Sequence, residues 1–138
     1  MNLLFDILFL TFVLCFRFNE AKCHKNTLVF QNSLTLSKST LKVHCKSKDN
    51  DLGDHFVKFN DPAYNFSFHD DVFFFTTEFN CYLFWKGANL VYHQTFIAYV
   101  GAFFFRCGAL YVWNARDDAI YLSIDRKPEK IMYNWIKE

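Results

Sequence analysis

The clearest structural signal in the chain is the heptapeptide FNCYLFW, residues 79–85. Its odd-numbered positions carry Phe, Cys, Leu and Trp, and its even-numbered positions carry Asn, Tyr and Phe. Successive side chains of a β-strand point to opposite faces, so this alternation predicts a strand with one entirely apolar face. The other face is largely aromatic as well, which favours a central position in a sheet, covered on both sides.

A period of two recurs along the rest of the chain. Leu41, Val43 and Cys45 alternate with charged side chains, and residues 64–69 alternate aromatic with polar ones. Further short strands are predicted at residues 27–30, 55–59, 91–94, 96–99, 103–107, 109–114, 119–124 and 131–136. Turn-forming clusters separate these segments, and beyond the N-terminal apolar run no long segment has helical spacing with caps. The pattern predicts an all-β fold, an antiparallel sandwich or barrel of about eight strands.

The composition limits the number of domains and the class of partner. A chain of 138 residues is the length of one domain. Phe occurs 19 times and aromatic residues make up 21% of the chain, which favours half-buried strands. Lys and Arg number 15 against 14 for Asp and Glu, and no basic block occurs. The near-neutral charge therefore argues against a nucleic-acid partner.

The N-terminus has the pattern of a secretory leader. Residues 3–16 read LLFDILFLTFVLCF, an apolar run too short to cross a bilayer but long enough for a signal-peptide core. Cleavage is expected between Ala21 and Lys22, which makes residues 1–21 a signal peptide and residues 22–138 the domain. Asp6 within the run and the lack of a preceding Lys or Arg are unusual for a leader. An uncleaved anchor or an N-terminal segment packed against the domain is the alternative.

The cysteines fit an exported domain. Cys15 is removed with the leader, which leaves Cys23, Cys45, Cys81 and Cys107. An even number of cysteines in a small exported chain predicts two disulfides and a secreted, extracellular protein. Three pairings are open, and free buried thiols are the alternative to disulfides.

Signatures of catalysis and of metal binding are missing from the sequence. The chain contains no His-Glu-x-x-His helix, no phosphate-binding glycine loop and no Gly-x-Ser-x-Gly elbow. The acidic segment from Asp49 to Asp54 is unlike a calcium loop, because Gly53 comes one place early and no Glu closes it. The five histidines lack metal-ligand spacing and are expected at the surface or packed: His24, His44, His55, His69 and His93. We therefore expect no enzyme activity, no cofactor and no metal.

One modification site is predicted. Asn65-Phe66-Ser67 is an N-glycosylation sequon in a chain expected to be exported. By the alternation of this strand, Asn65 points away from the apolar face, as a glycan requires.

Five blocks of sequence together resemble the plant self-incompatibility S-protein homologue family. The first, residues 43–55, reads VHCKSKDNDLGDH and resembles the family's Cys, Lys-Ser-Lys, acidic, Leu-Gly signature. The other four blocks follow in the order that the family shows. Residues 64–68 resemble its aromatic-Ser-Phe strand, and residues 76–85 resemble its Thr-Thr and Phe-x-Cys strand. Residues 106–113 resemble its Cys and Trp strand, and residues 133–135 resemble its closing Tyr-x-Trp. The resemblance implies a secreted, disulfide-linked β-sandwich of two antiparallel sheets.

The chain also departs from the family pattern. Further cysteines that the family commonly carries are replaced here in the neighbourhoods of Leu110 and Tyr111, of Ile120 and of Met132. The resemblance does not account for Cys23. The disulfide pairing therefore stays open at the level of the sequence.

What the resemblance implies about function is recognition at a cell surface. The best-understood relatives are stigma proteins that act as ligands for a pollen membrane protein, so we expect a secreted signalling ligand, monomeric and not inserted in a membrane once its leader is removed. Loops on a rigid scaffold are suited to such contacts. The candidate contact residues lie in two loops: Asp49, Asn50, Asp51 and Asp54 in the first, and Lys86 and Asn89 in the second.

An alternative function uses the aromatic residues directly. A secreted binder of cell-wall glycan or of a membrane surface requires an exposed aromatic platform. Tyr82, Phe84, Tyr92 and Tyr99 are the candidates for that platform.

Overall fold

The structure, a computed structural model, describes residues 2–21, 23–70, 77–101 and 106–138. Residues 103–105 of one predicted strand, Lys22 of the predicted cleavage site and Thr76 of the family-like block lie outside the described residues. The elements are α1 Asn2–Ala21, β1 Asn26–Ser33, β2 Leu41–Lys46, β3 Asp51–Val57, β4 Tyr64–Phe68, β5 Glu78–Lys86, β6 Val91–Val100, β7 Leu110–Arg116, β8 Ala119–Ile124, β9 Lys130–Asn134 and β10 Ile136–Lys137.

The strands form two five-stranded sheets. The first sheet has the order β4-β1-β7-β8-β9, and the second sheet has the order β10-β6-β5-β2-β3. The predicted all-β, disulfide-linked sandwich is confirmed, with ten described strands instead of about eight. The two runs at residues 91–94 and 96–99 are one strand, β6, whereas the run at residues 131–136 divides into β9 and β10.

One strand pair differs from the expected all-antiparallel arrangement. β1 and β7 are neighbours in the first sheet and run parallel, from Thr27 opposite Leu110 to Ser33 opposite Arg116. Parallel neighbours need a crossover connection. Here the chain between them runs through β2 and β3 of the second sheet, β4 of the first sheet, and β5 and β6 of the second sheet. The parallel pairing places the C-terminal ends of β1 and β7 at the same end of the sandwich.

The core lies between the two sheets and combines aromatic with aliphatic side chains. As predicted, β5 is the middle strand of its sheet, and Cys81, Leu83 and Trp85 on its inner face are 1%, 0% and 3% exposed. Phe96 of the second sheet packs against Trp113 of the first, with ring centroids 4.6 Å apart. Aromatic pairs of this kind contribute about 0.5–1.5 kcal/mol beyond their buried area.

Two disulfides settle the pairing that the sequence left open. Cys45 bonds to Cys81, joining β2 to β5 within the second sheet. Cys23 bonds to Cys107, which joins the segment before β1 to the segment before β7 across 84 residues. The first bridge is buried, whereas Cys107 is exposed.

A buried polar network lies near the Cys23–Cys107 bridge. Asp70 is 6% exposed and accepts hydrogen bonds from Asn26 Nδ2 at 3.2 Å, from the Tyr99 hydroxyl at 2.8 Å and from the Arg106 backbone N–H at 2.9 Å. Asn26 Oδ1 in turn accepts from the Ala109 N–H at 2.9 Å. The network ties β1 and β6 to the segment that leads into β7, and it satisfies polar groups that would otherwise be costly to bury.

Helix α1 occupies the predicted leader. Residues 2–12 all have exposed side chains, and Leu3 is 75% exposed. These side chains therefore do not pack against the sandwich. Over the ranges that the structure describes, no helix combines the length and the apolarity that crossing a membrane requires.

Candidate functional site on the outer face of the second sheet

The acidic segment predicted to be a loop is partly a strand. Only residues 47–50 form the turn, which is closed by a hydrogen bond from the Ser47 N–H to the Asn50 carbonyl at 2.8 Å. Asp51 and Asp54 belong to β3 and pair with β2, so the prediction that they lie in a loop is wrong. The reason is the strand partner: β2 extends the ladder to Asp51, with a bulge that breaks the register between His44 and Lys46.

His44 lies between these two carboxylates. Its Nδ1 is 2.6 Å from Asp54 Oδ1, and its Nε2 is 2.6 Å from Asp51 Oδ1. The hydrogen bond to Asp54, helped by Asp51, raises the pKa of His44 above its ordinary value against the opposing effect of desolvation. Asp51 has a lowered pKa because the Gly53 N–H and then His44 donate to it, and His44 lowers the pKa of Asp54. We call these three residues the His44 cluster.

Charged and polar groups extend the cluster into a shallow cavity. Lys42 Nζ lies 3.5 Å from Asp54 Oδ2. A cavity of about 330 Å³ is lined by His44, Lys46, Asp51, Asn80, Cys81, Tyr82 and Thr95. The Cys45–Cys81 disulfide links β2 and β5, which carry most of the residues that line this cavity. The polar side chains therefore project from two strands that are covalently linked. Such an arrangement suits directional recognition of polar groups.

The second candidate loop lies at the other end of the same sheet. Lys86 ends β5, and the hairpin beyond it is closed by a hydrogen bond from the Gly87 N–H to the Leu90 carbonyl at 2.8 Å. Lys86 and Asn89 are exposed. Because β2 and β5 are antiparallel, this hairpin lies beside the start of β2, whereas Asp49 and Asn50 follow its end. The structure therefore does not bring the two candidate loops together.

The four candidate platform aromatics divide between the two faces of the sheet. Tyr82 and Phe84 are half-buried on the outer face, with ring centroids 6.4 Å apart. Tyr92 stacks on the core residue Trp85 at 3.9 Å, and Tyr99 is 2% exposed. Of these four candidates, Tyr82 and Phe84 are therefore the two placed to form an outer aromatic surface.

The sequon lies on the first sheet, away from the His44 cluster. Asn65 is exposed in β4, which is an edge strand of that sheet. Ser67 of the sequon contacts Thr27 through their hydroxyl oxygens, 2.8 Å apart. The exposure predicted for Asn65 is confirmed, and its glycosylation stays a prediction.

The sequence reasoning missed the role of His44, which it treated as one of five scattered histidines. The spacing along the chain could have indicated this contact. Asp51 and Asp54 follow His44 by 7 and 10 residues, and the short turn of a hairpin folds them back beside it. Within the described residues, no three His, Cys, Asp or Glu side chains converge as metal ligands.

Two five-stranded sheets, two disulfides and a polar cluster on an outer face define the class of small, disulfide-linked β-sandwich proteins. The chain belongs to the plant self-incompatibility protein S1 family, whose model matches residues 27–135. The resemblance found in the five sequence blocks is thereby confirmed.

The chain is similar to several S-protein homologues of Arabidopsis thaliana. It is 39% identical to S-protein homolog 11 over 135 residues, which cover 95% of this chain and 92% of that protein. It is 42% identical to S-protein homolog 8 over 112 residues, covering 80% and 81%. A solved structure from a family described as small, highly stable, secreted plant proteins matches with a TM-score of 0.60 and 27% identity, covering 82% of this chain and 96% of that one.

Proposed function

We propose that the protein is a secreted plant recognition ligand that binds a cell-surface membrane protein through the outer face of its second sheet. Export is supported by the leader-like residues 1–21, by the two disulfides and by a structural relative described as secreted. A role in pollen–pistil recognition is the form of this function that the family membership favours.

The observation that carries the proposal is the His44 cluster. Charged groups that are free to move lose conformational entropy on binding, whereas groups already held in place do not. Here Asp51 and Asp54 of β3 are each held by His44 at 2.6 Å, and His44 lies on β2, which the Cys45–Cys81 disulfide joins to β5. The face thus presents a fixed pattern of charge to a partner before contact.

The surface formed by the His44 cluster and the turn at Asp49 and Asn50 is the preferred contact, and the hairpin after Lys86 is a separate one. Asp49 and Asn50 are exposed in the turn beside the cluster and extend its surface. Lys86 and Asn89 lie at the far end of the sheet, so a partner reaches both only by covering the length of β2 and β5. Substitutions at the two ends therefore separate a local contact from an extended one.

Binding of the labelled protein to intact plant cells tests the proposal. We expect saturable binding that protease treatment of the cells abolishes, and we expect Asp51→Asn combined with Asp54→Asn to weaken it by about tenfold or more. Asp61→Asn is the control for the loss of an exposed carboxylate outside the cluster, because Asp61 is exposed in a turn between β3 and β4. Equal binding by the double variant and the control would refute the assigned surface.

Aromatic side chains on the outer face of the second sheet favour a second function. Phe56 is 67% exposed on the strand beside Lys42, and Phe84 flanks Lys42 on the other side. With Tyr82, these rings form a surface for a cell-wall glycan or a membrane. Retention on insoluble cell-wall polysaccharide or on lipid vesicles that is lost in Phe84→Ala, and unaffected by protease treatment of cells, would support this function over the first.

A further inference from the structure

The cavity beside the His44 cluster, which we call the Tyr82 cavity, is crossed by two rows of register partners. His44, Tyr82 and Thr95 form one row across β2, β5 and β6, and Lys46 and Asn80 belong to the next row. Directly paired residues share one face of a sheet, and positions 80 and 82 of β5 lie about 7 Å apart on it. These five side chains therefore project together from the outer face, around a volume of about 330 Å³.

The fold leaves most of the polar groups in this lining unused. Among the described residues, the side chains of Asn80, Tyr82 and Thr95 form no hydrogen bond. Lys46 is in no ion pair within the same part of the chain. Asp51 receives its hydrogen bonds through Oδ1, which leaves Oδ2 without a described donor. The cavity therefore presents both hydrogen-bond donors and hydrogen-bond acceptors to a ligand.

The charges in the lining oppose each other. Lys46 and Asp51 are register partners on β2 and β3, and both line the cavity. A phosphate would face Asp51 and an ammonium group would face Lys46, so neither ion matches the lining as a whole. A hydrocarbon chain would leave the polar groups without partners. The lining is therefore complementary to a neutral ligand that is rich in hydroxyl groups.

We propose that the Tyr82 cavity binds one pyranose unit of a glycan. Each sugar hydroxyl both donates and accepts hydrogen bonds, as this lining requires, and the apolar C–H face of the ring can lie against Tyr82. A volume of about 330 Å³ is at the small end of the range for small-molecule sites, roughly 300–1,000 Å³, which suits a single sugar unit. The inference rests on the proposed function for the source of the sugar, which is either a glycan of a cell-surface protein or a cell-wall polysaccharide.

Nuclear magnetic resonance of the isotopically labelled protein tests the site without a partner. The probes are the methyl β-glycosides of glucose, galactose and N-acetylglucosamine, and the control is sorbitol, which has similar hydroxyl groups but no ring. We expect at least one glycoside to shift the Asn80 side-chain amide and the Tyr82 and Thr95 backbone amides, with millimolar affinity. No shift with any of the three glycosides, or equal shifts with sorbitol, would overturn the proposal.

Variants make the same test specific to the cavity. Thr95→Val removes a hydroxyl but keeps the shape of the side chain at an exposed strand position, and we expect it to weaken glycoside binding by roughly three- to tenfold. Thr40→Val is the matched control, because Thr40 is exposed just before β2 and does not line the cavity. The control should bind the glycoside as the wild type does. Equal affinities of the two variants would contradict the assigned site.

Competition identifies the source of the sugar. The glycoside that binds in solution should displace the labelled protein from intact cells or from isolated cell wall. Displacement from cells that also lose binding when their N-glycans are removed by enzyme indicates a glycoprotein, and displacement from cell wall indicates a polysaccharide. Binding to both materials that the glycoside does not displace would overturn the proposal.

Failure of this site is distinguishable from failure of the proposed function. Saturable binding to cells without any glycoside shift refutes the sugar site alone. Glycoside shifts in a protein that binds neither cells nor cell wall support the sugar site and refute the proposed function.

Discussion

Cys45 and Cys81 lie directly opposite each other on β2 and β5, and their Cα atoms are 4.1 Å apart. Both are at most 1% exposed, and their outward-pointing neighbours include His44 and Tyr82. The bridge therefore supports the core on one side of the sheet and the proposed recognition surface on the other.

The two disulfides should differ in reactivity. Cys45–Cys81 is buried, whereas Cys107 of the other bridge is exposed, so a mild reductant should open Cys23–Cys107 first. Mass spectrometry after alkylation of the freed thiols measures the order. Replacing either pair by Ser should lower the free energy of unfolding by about 4 kcal/mol, because both bridges close long loops. Labelling of Cys45 and Cys81 before Cys107 would contradict the prediction.

Trp85 should be among the costliest core residues to truncate. It is 3% exposed and stacks on Tyr92 at 3.9 Å, so Trp85→Ala should lower the free energy of unfolding by about 3–5 kcal/mol. Trp85→Phe is the control: the buried indole N–H has no described hydrogen-bond partner, so this change removes volume without breaking a bond. Urea denaturation measures both, and a loss below about 1 kcal/mol for the Ala variant would place Trp85 outside the core.

The His44 cluster should make stability depend on pH in a defined direction. The pKa of His44 is raised above 6.5, so its contribution is complete below that pH and is lost as the pH rises through the folded-state pKa. The pKa values of Asp51 and Asp54 are lowered below 3.8, so their contribution is present above that pH and is lost as the pH falls through their folded-state values. The cluster is therefore most stabilising between these limits.

Thermal unfolding measures this dependence. Raising the pH from about 5 to about 8 should lower the Tm of the wild type more than that of His44→Gln, which keeps a hydrogen-bonding side chain but does not titrate. Parallel pH profiles of the two proteins would show that His44 does not contribute.

The buried Asp70 network should be sensitive to loss of its acceptor. Asp70→Ala removes the acceptor of three hydrogen bonds, although Asn26 Nδ2 keeps the Arg106 carbonyl at 3.1 Å, and we expect a loss of roughly 3 kcal/mol. Tyr99→Phe removes a single donor and should cost about 1 kcal/mol. Burial and the bond to Asp70 raise the pKa of Tyr99, so its hydroxyl stays a donor well into alkaline solution. Equal stability of wild type and Asp70→Ala in urea would refute this role.

Processing of the N-terminus should remove α1. The apolar run at residues 3–16 and the exposed side chains of residues 2–12 fit a segment that the sandwich does not need. N-terminal sequencing of protein recovered from the medium of expressing plant cells should begin at Lys22. A secreted chain that still begins at Met1 would contradict the leader, and replacing Ala21 by Arg should block cleavage if the site is correct.

Much of the fold was readable from local sequence. Alternation in residues 79–85 predicted a central strand, and the structure places Cys81, Leu83 and Trp85 in the core. Alternation is a property of consecutive residues, because each β side chain points opposite to its neighbour. The same local rule predicted the exposure of Asn65.

Strand partners and register depended on residues far apart in the chain. The parallel pairing of β1 with β7 and the pairing of Cys23 with Cys107 follow from which apolar faces are buried together. The local sequence does not specify the partner strand, because any strand with a suitable apolar face can pair at that position. The ends of β1 and β7 lie together for the same reason, because the parallel pairing places Ser33 opposite Arg116.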